Sequence, residues 1–138
     1  MRCQNFKFEP VSSELGLSQN FISDIEIDSS GFVWVATPSG LNRFDGYSFK
    51  TFKNDPLDSL SLAGSKITAI ELDHKGRLWV AHEAGVQFFD LDTGELNPLL
   101  FQLHFTPKFL LIDSDGVIWA IDSKRQVHRF QERDDGSF

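Results

Sequence analysis

A seven-residue motif, Asp-x-x-Gly-x-x-Trp, occurs three times in this chain of 138 residues. Successive glycines of the motif lie 45 and 40 residues apart, and the three copies are Asp28, Gly31, Trp34; Asp73, Gly76, Trp79; and Asp113, Gly116, Trp119. Four-stranded propeller blades repeat at about 40–50 residues. The motif therefore predicts that one small β unit occurs three times in the chain and that its copies stack on one another.

Each unit divides into short strands separated by turn residues such as "SSG", "PSG" and "DG". We expect a first blade at 21–53, a second at 66–100 and a third at 106–138 that lacks its outer strand. The segment "NFKFEP" at 5–10 is similar to the outer strand "SFKTFK" at 48–53, which predicts that it is lent to another blade. The predicted fold class is all-β, with three four-stranded antiparallel blades of about 40–45 residues each.

Three blades cannot close a ring, because propellers use roughly 4 to 8. Two chains would supply six blades, so we expect a homodimer that forms a six-bladed ring. Closure by further blades of a longer chain is one alternative. A fragment with open ends, or a fold other than a propeller, is another.

Composition excludes several classes of function. The net charge is −7 and there is no run of lysine or arginine, which argues against nucleic acid binding. No apolar stretch approaches the roughly 18–20 residues of a membrane span, and the amino terminus lacks a signal-peptide core. A single cysteine, Cys3, excludes an intrachain disulfide. Phosphate-loop and nucleophile-elbow motifs are absent.

The repeated residues are more typical of a structural role, in packing and in turns, than of ligand or metal binding. A tryptophan at one position of every unit is favoured as packing between blades, with sugar stacking as the alternative. The acidic segments "DLDTGE" (90–95) and "DSDG" (113–116) could hold calcium, but each falls where a hairpin turns and neither completes a calcium loop. We therefore expect no metal and no cofactor.

Residues 17–52, "LSQNFISDIEIDSSGFVWVATPSGLNRFDGYSFKTF", resemble the two-component regulator propeller repeat. They match its pattern along nearly the whole unit, including Asn20, Trp34, Gly40, Leu41, Arg43, Phe44 and Asp45. The second and third units match more loosely. The resemblance implies the periplasmic sensor region of an inner-membrane signalling protein, a hybrid histidine kinase or a diguanylate cyclase. In that family the cue is often an oligosaccharide.

The loops between second and third strands line one end of a propeller channel. On that reasoning the residues nearest a ligand are Ser39, His82, Glu83, Lys124 and Arg125. We expect a non-enzymatic module that binds a carbohydrate or another small ligand. The alternatives are a protein-interaction scaffold and an enzyme similar to streptogramin lyases, for which His82 and Glu83 are the only adjacent histidine–glutamate pair.

Overall fold

The structure is a computed structural model of the chain, and it describes residues 7, 9–98, 103–134 and 137. This part of the chain consists of ten strands and one turn of 3-10 helix at Ser13–Leu15, with no α-helix. None of the helical structure in these ranges is long and apolar enough to cross a membrane. The all-β prediction is confirmed.

The strands form three separate antiparallel sheets in chain order. The first sheet has four strands and the other two have three each. The first sheet contains β1 (Asp24–Ile27), β2 (Val33–Thr37), β3 (Gly40–Phe44) and β4 (Phe49–Phe52). The middle sheet contains β5 (Ile67–Leu72), β6 (Arg77–His82) and β7 (Gly85–Asp90). The third sheet contains β8 (Pro107–Ile112), β9 (Ile118–Asp122) and β10 (Val127–Phe130).

The predicted outer strands differ among the units. The first unit has its fourth strand, β4, hydrogen-bonded to β3. In the middle unit the predicted strand at 95–100 is reduced to a single bridge between Phe89 and Leu96, and residues 99–102 lie outside the described part. The amino-terminal strand predicted at 5–10 lies mostly outside the described residues and stays a prediction.

The three sheets stack face to face and bury two apolar cores. The first core lies between the first and middle sheets and includes Trp34, Leu41, Ile70, Leu78 and Phe89. The second lies between the middle and third sheets and includes Trp79, Val86, Phe88, Leu110 and Ile118. The middle sheet is therefore buried on both faces, whereas the outward faces of the first and third sheets expose large apolar side chains, such as Ile25 and Ile27 on β1 and Phe109 and Leu111 on β8.

The first strands of the three sheets, β1, β5 and β8, pack beside one another. This convergence places the start of every first strand at one end of the stack. The turns between second and third strands lie at the same end, because β2 is antiparallel to β1 and ends where β1 begins. That end of the molecule holds the candidate site.

Candidate functional site

Each repeated aspartate accepts the indole N–H of its own tryptophan. The Nε1 to Oδ2 distances are 2.8 Å for Trp34 and Asp28, 2.9 Å for Trp79 and Asp73, and 2.9 Å for Trp119 and Asp113. The other carboxylate oxygen accepts two backbone N–H groups of the hairpin turn in every copy. The aspartate therefore fixes the turn and the tryptophan ring together, and the glycine supplies the positive φ that the turn requires.

These bonds explain the spacing of the motif. The hydrogen bonds from Trp119 and from the backbone hold the pKa of Asp113 below its usual range. Burial raises the pKa of Asp73, but the bonds from Trp79 and Arg77 outweigh it and the net shift is downward. The sequence predicted turn residues and rings packed between blades: Trp34 and Trp79 lie between sheets, whereas Trp119 is partly exposed. The bond between aspartate and tryptophan was not anticipated.

Opposite these hairpins, each sheet carries a polar pair where the second strand turns into the third. His82 Nε2 lies 2.9 Å from Gln87 Oε1, and His128 Nε2 lies 3.0 Å from Asp122 Oδ2. In the first sheet the corresponding Asn42 bonds to backbone carbonyl groups and to Ser18 N–H at 3.0 Å. Polar residues at one repeat position of an apolar strand were the sequence signal for this network.

The predicted ligand residue His82 is fully buried. Its Nδ1 accepts the N–H of Ala84, so the proton is on Nε2 and is donated to Gln87. Burial lowers the pKa of His82, partly offset by the Gln87 bond, which keeps the ring neutral. Glu83 accepts the backbone N–H groups of Ser65 and Lys66, so this residue holds the loop that precedes β5.

The other three predicted residues lie on the corresponding turns. Ser39 Oγ donates to Gln19 Oε1 at 3.1 Å. Lys124 and Arg125 are exposed on the turn of the third sheet, which has one residue more than the other two turns and places Arg125 at φ 63°. Lys124 lines a cavity of about 300 Å³ together with Asp122 and His128. The five residues thus share one end of the stack, and Lys124 lines this cavity without the other four.

A different cavity at this end gathers residues of all three units. It has a volume of about 320 Å³ and is lined by the starts of the first strands and one turn: Phe21, Ile22, Ser23, Pro38, Lys66, Ile67, Thr68, Lys108 and Phe109. Phe21 and Phe109 are largely exposed, and both lysines are exposed beside them. The sequence could have indicated these residues, because most of them lie where a loop enters the first strand of a unit.

Below this cavity the first strands carry a pair of acidic side chains. Glu26 on β1 and Glu71 on β5 share a side-chain hydrogen bond. Burial and the neighbouring Glu26 carboxylate raise the pKa of Glu71 to about 7. Burial also raises the pKa of Glu26, with a further contribution from Asp24. Each carboxyl group therefore holds a proton more strongly than an ordinary glutamate does.

The acidic turn that begins at Asp90 is fixed by its own backbone hydrogen bonds. The Asp90 carboxylate accepts the N–H groups of Asp92 and Thr93, which is the geometry of an Asx turn. Within the ranges that the structure describes, no group of three or more His, Cys, Asp or Glu side chains is arranged to hold a metal ion.

The sequence comparisons identify the repeats. Residues 16–39 and 61–84 match the family model described as "Two component regulator propeller". A histidine kinase, P4, from Formosa agariphila is 48% identical over 59 residues, which cover 43% of this chain and 4% of the kinase.

Solved structures share the fold. The extracellular domain of a protein described as the hybrid two component system BT3049 of B. thetaiotaomicron superposes with a TM-score of 0.73 at 22% identity, over 90% of this chain and 20% of that one. The extracellular domain of BT4673, from the same organism, gives 0.67 at 19% identity, over 93% and 19%. Virginiamycin B lyase from Staphylococcus aureus gives 0.52 at 18%, over 78% and 40%. The chain spans a small part of the signalling proteins that it matches.

Proposed function

We propose that this chain, which carries two-component regulator propeller repeats, is part of the extracytoplasmic sensor region of a membrane signalling protein. The sequence match to a histidine kinase and the fold shared with extracellular domains of two-component proteins support the proposal. The protein would be anchored in the inner membrane with this region in the periplasm. Its output module would be a histidine kinase or a diguanylate cyclase.

The observation that carries a binding role is the cavity at the starts of the first strands. Phe21 offers an exposed ring on which the C–H face of a sugar can stack. Lys66 and Lys108 place two ammonium groups at the rim of the same cavity, in a chain whose net charge is −7. An acidic oligosaccharide combines an apolar ring face with a carboxylate and fits both features.

A ligand bound in this cavity would affect signalling by changing how the three sheets pack against one another. The cavity is lined by all three units, so a ligand contacts residues whose relative positions depend on how the sheets pack. A ligand that favours one packing shifts the population toward it. The downstream module would respond to that shift.

We propose no catalytic role for the His82–Glu83 pair. His82 is buried with both ring nitrogens bonded, and Glu83 is bonded to two backbone N–H groups. Neither side chain is positioned to transfer a proton to a bound molecule. The likeness to virginiamycin B lyase therefore supports the fold and not its chemistry.

The test is isothermal titration calorimetry of the chain with a galacturonic acid tetrasaccharide and with a neutral maltotetraose. We expect binding of the acidic sugar only. Phe21→Ala and the double variant Lys66→Met/Lys108→Met should each weaken binding by at least tenfold. Lys53→Met is the matched control, because this exposed lysine lies outside the cavity. Equal binding of both sugars, or binding that ignores these variants, would contradict the proposal.

A further inference from the structure

The loops that enter the first strands end in residues that line the cavity at the starts of those strands. Ile22 and Ser23 precede β1, and Lys66 precedes β5. Because these three residues lie before the strands and outside the strand pairing, their positions depend on what holds each loop.

The backbone of each of these two loops is bonded to a side chain on the third strand of the same sheet. Ser18 N–H donates to Asn42 Oδ1 at 3.0 Å, and Ala63 N–H donates to Gln87 Oε1 at 2.7 Å. Asn42 and Gln87 hold the same repeat position, since each pairs with the residue that follows the repeated tryptophan. Two units therefore fix their loops by the same bond.

The second loop has a further attachment, closer to the cavity. Glu83, on the turn between β6 and β7, accepts Ser65 N–H at 3.2 Å and Lys66 N–H at 2.9 Å, one with each carboxylate oxygen. Lys66 lines the cavity, whereas Glu83 does not. An exposed carboxylate outside the cavity therefore holds the backbone of a lysine at its rim.

The loop lies so close to this turn that Gly64 has no room for a side chain. A Cβ added there would lie 2.8 Å from Glu83 Oε2 and 2.8 Å from Nδ1 of the buried His82 ring. The close approach lets Glu83 reach the N–H groups of the two residues that follow Gly64.

The carboxylate belongs to the second unit and is not a feature of the repeat. Counted from the repeated tryptophan, the positions that correspond to Glu83 are Pro38 and Ser123. In the third unit the loop into the first strand is held by a ring contact instead, since Phe105 stacks on His128 with centroids 3.7 Å apart. The fold of a unit therefore does not require a carboxylate at this place in the turn.

We propose that Glu83 is a positioning residue for the cavity: by bonding to the backbone of Ser65 and Lys66, it sets where the Lys66 ammonium group stands at the rim. This role rests on the carbohydrate binding proposed above. A loop that is fixed before the ligand arrives loses less conformational entropy on binding, which strengthens binding. The negative charge of Glu83 acts in the opposite sense on an acidic sugar, so the two effects can be separated by substitution.

The first experiment is calorimetry with the galacturonic acid tetrasaccharide. Glu83→Ala removes both backbone bonds and should weaken binding about fivefold. Glu83→Gln keeps a side-chain oxygen that accepts one N–H and removes the repelling charge, so its affinity should be close to that of the unmodified chain. Glu95→Ala is the matched control, because it removes an exposed carboxylate beyond the opposite end of β7 and should leave the affinity unchanged. Urea unfolding establishes that each variant is folded.

The second experiment needs no ligand. Amide hydrogen exchange, followed by nuclear magnetic resonance, should be about tenfold faster at Ser65 and Lys66 in Glu83→Ala, with no change at Val80 inside β6. Unchanged exchange at the two loop residues would overturn the inference. So would equal affinity of Glu83→Ala and an unmodified chain that binds the acidic sugar. A chain that binds neither sugar contradicts the proposed function, and the exchange rates then decide on their own whether Glu83 holds the loop.

Discussion

Trp79 and Trp119 hold the same repeat position and donate the same hydrogen bond, at 2.9 Å, to the aspartate six residues earlier. They differ in what lies over the ring. Trp79 packs against the third sheet and has Phe88 at a centroid distance of 5.2 Å, whereas Trp119 ends the stack. The motif therefore determines the hairpin and the orientation of the ring, and the neighbouring sheet determines how much the ring stabilises the fold.

Replacing each tryptophan by alanine is expected to give the largest difference in stability between the second and third copies of the motif. Trp79→Ala empties a buried site between two sheets and should lower the free energy of unfolding by about 4 kcal/mol. Trp119→Ala removes a ring that is already partly in water and leaves a smaller cavity, so it should cost about 2 kcal/mol. Both are measured by urea unfolding of the 138-residue chain. Equal losses in the two variants would show that the outer sheets are covered in the monomer.

Replacing Asp73 is expected to lower the free energy of unfolding more than replacing Asp113, in the same order as their tryptophans. Asp73 is almost fully buried, and it accepts bonds from Trp79, from Arg77 Nε at 2.7 Å and from two backbone N–H groups. Asp73→Ala should therefore cost about 3 kcal/mol, because hydrogen bonds to a buried charged group contribute most.

Asp113 accepts the equivalent turn bonds, but Arg129 acts on it through charge and makes no ion pair like that of Arg77 with Asp73, and its tryptophan is exposed. Asp113→Ala should cost about 1 kcal/mol. Near-ultraviolet circular dichroism of the tryptophan bands checks that each variant affects its own ring. A loss at Asp113 as large as that at Asp73 would contradict the dependence on the neighbouring sheet.

The repeat made the fold predictable from the sequence, because Asp-x-x-Gly-x-x-Trp encodes a local hairpin whose bonds lie within six residues. The candidate site was less predictable, because it depends on which loop residues the stacked sheets bring together. The sequence places His82 in a turn, where an exposed side chain is expected. In the structure its ring is buried beneath the β6–β7 turn and bonds to Gln87. The position of a residue in a loop does not reveal such a contact. Phe21 and Lys108 are 87 positions apart and meet only because the first strands converge.

A smaller effect is expected at the glycines of the first unit. At Gly40, an added Cβ would lie 2.8 Å from Phe52 O and 2.9 Å from Thr51 Cγ2, at φ 140°. At Gly46 it would meet nothing within 4 Å, at φ 99°. Gly40→Ala should cost about 2 kcal/mol and Gly46→Ala about 1 kcal/mol, because both strain the backbone and only the first displaces β4. Equal urea midpoints for the two variants would contradict this difference.

The smallest effect on stability is expected from a change of pH. It concerns Glu26 on the first sheet and Glu71 on the middle sheet. The pKa of Glu71 is raised to about 7 in the folded chain, against 4.5 for an ordinary glutamate, so its protonated form favours folding. That contribution is complete below pH 4.5 and is lost as the pH rises through 7. The stability of the wild type relative to Glu71→Gln should therefore fall between pH 5 and pH 8, measured as the difference in urea midpoints.

Taking the difference between the two proteins removes the effect of His82, whose lowered pKa makes stability rise with pH over part of the same interval. Glu26→Gln should also reduce the pH dependence, because the Glu26 carboxylate is the second cause of the raised pKa of Glu71. Glu14→Gln, at an exposed position before β1, is the control and should leave the dependence unchanged. A pH-independent difference between wild type and Glu71→Gln would contradict the raised pKa of Glu71.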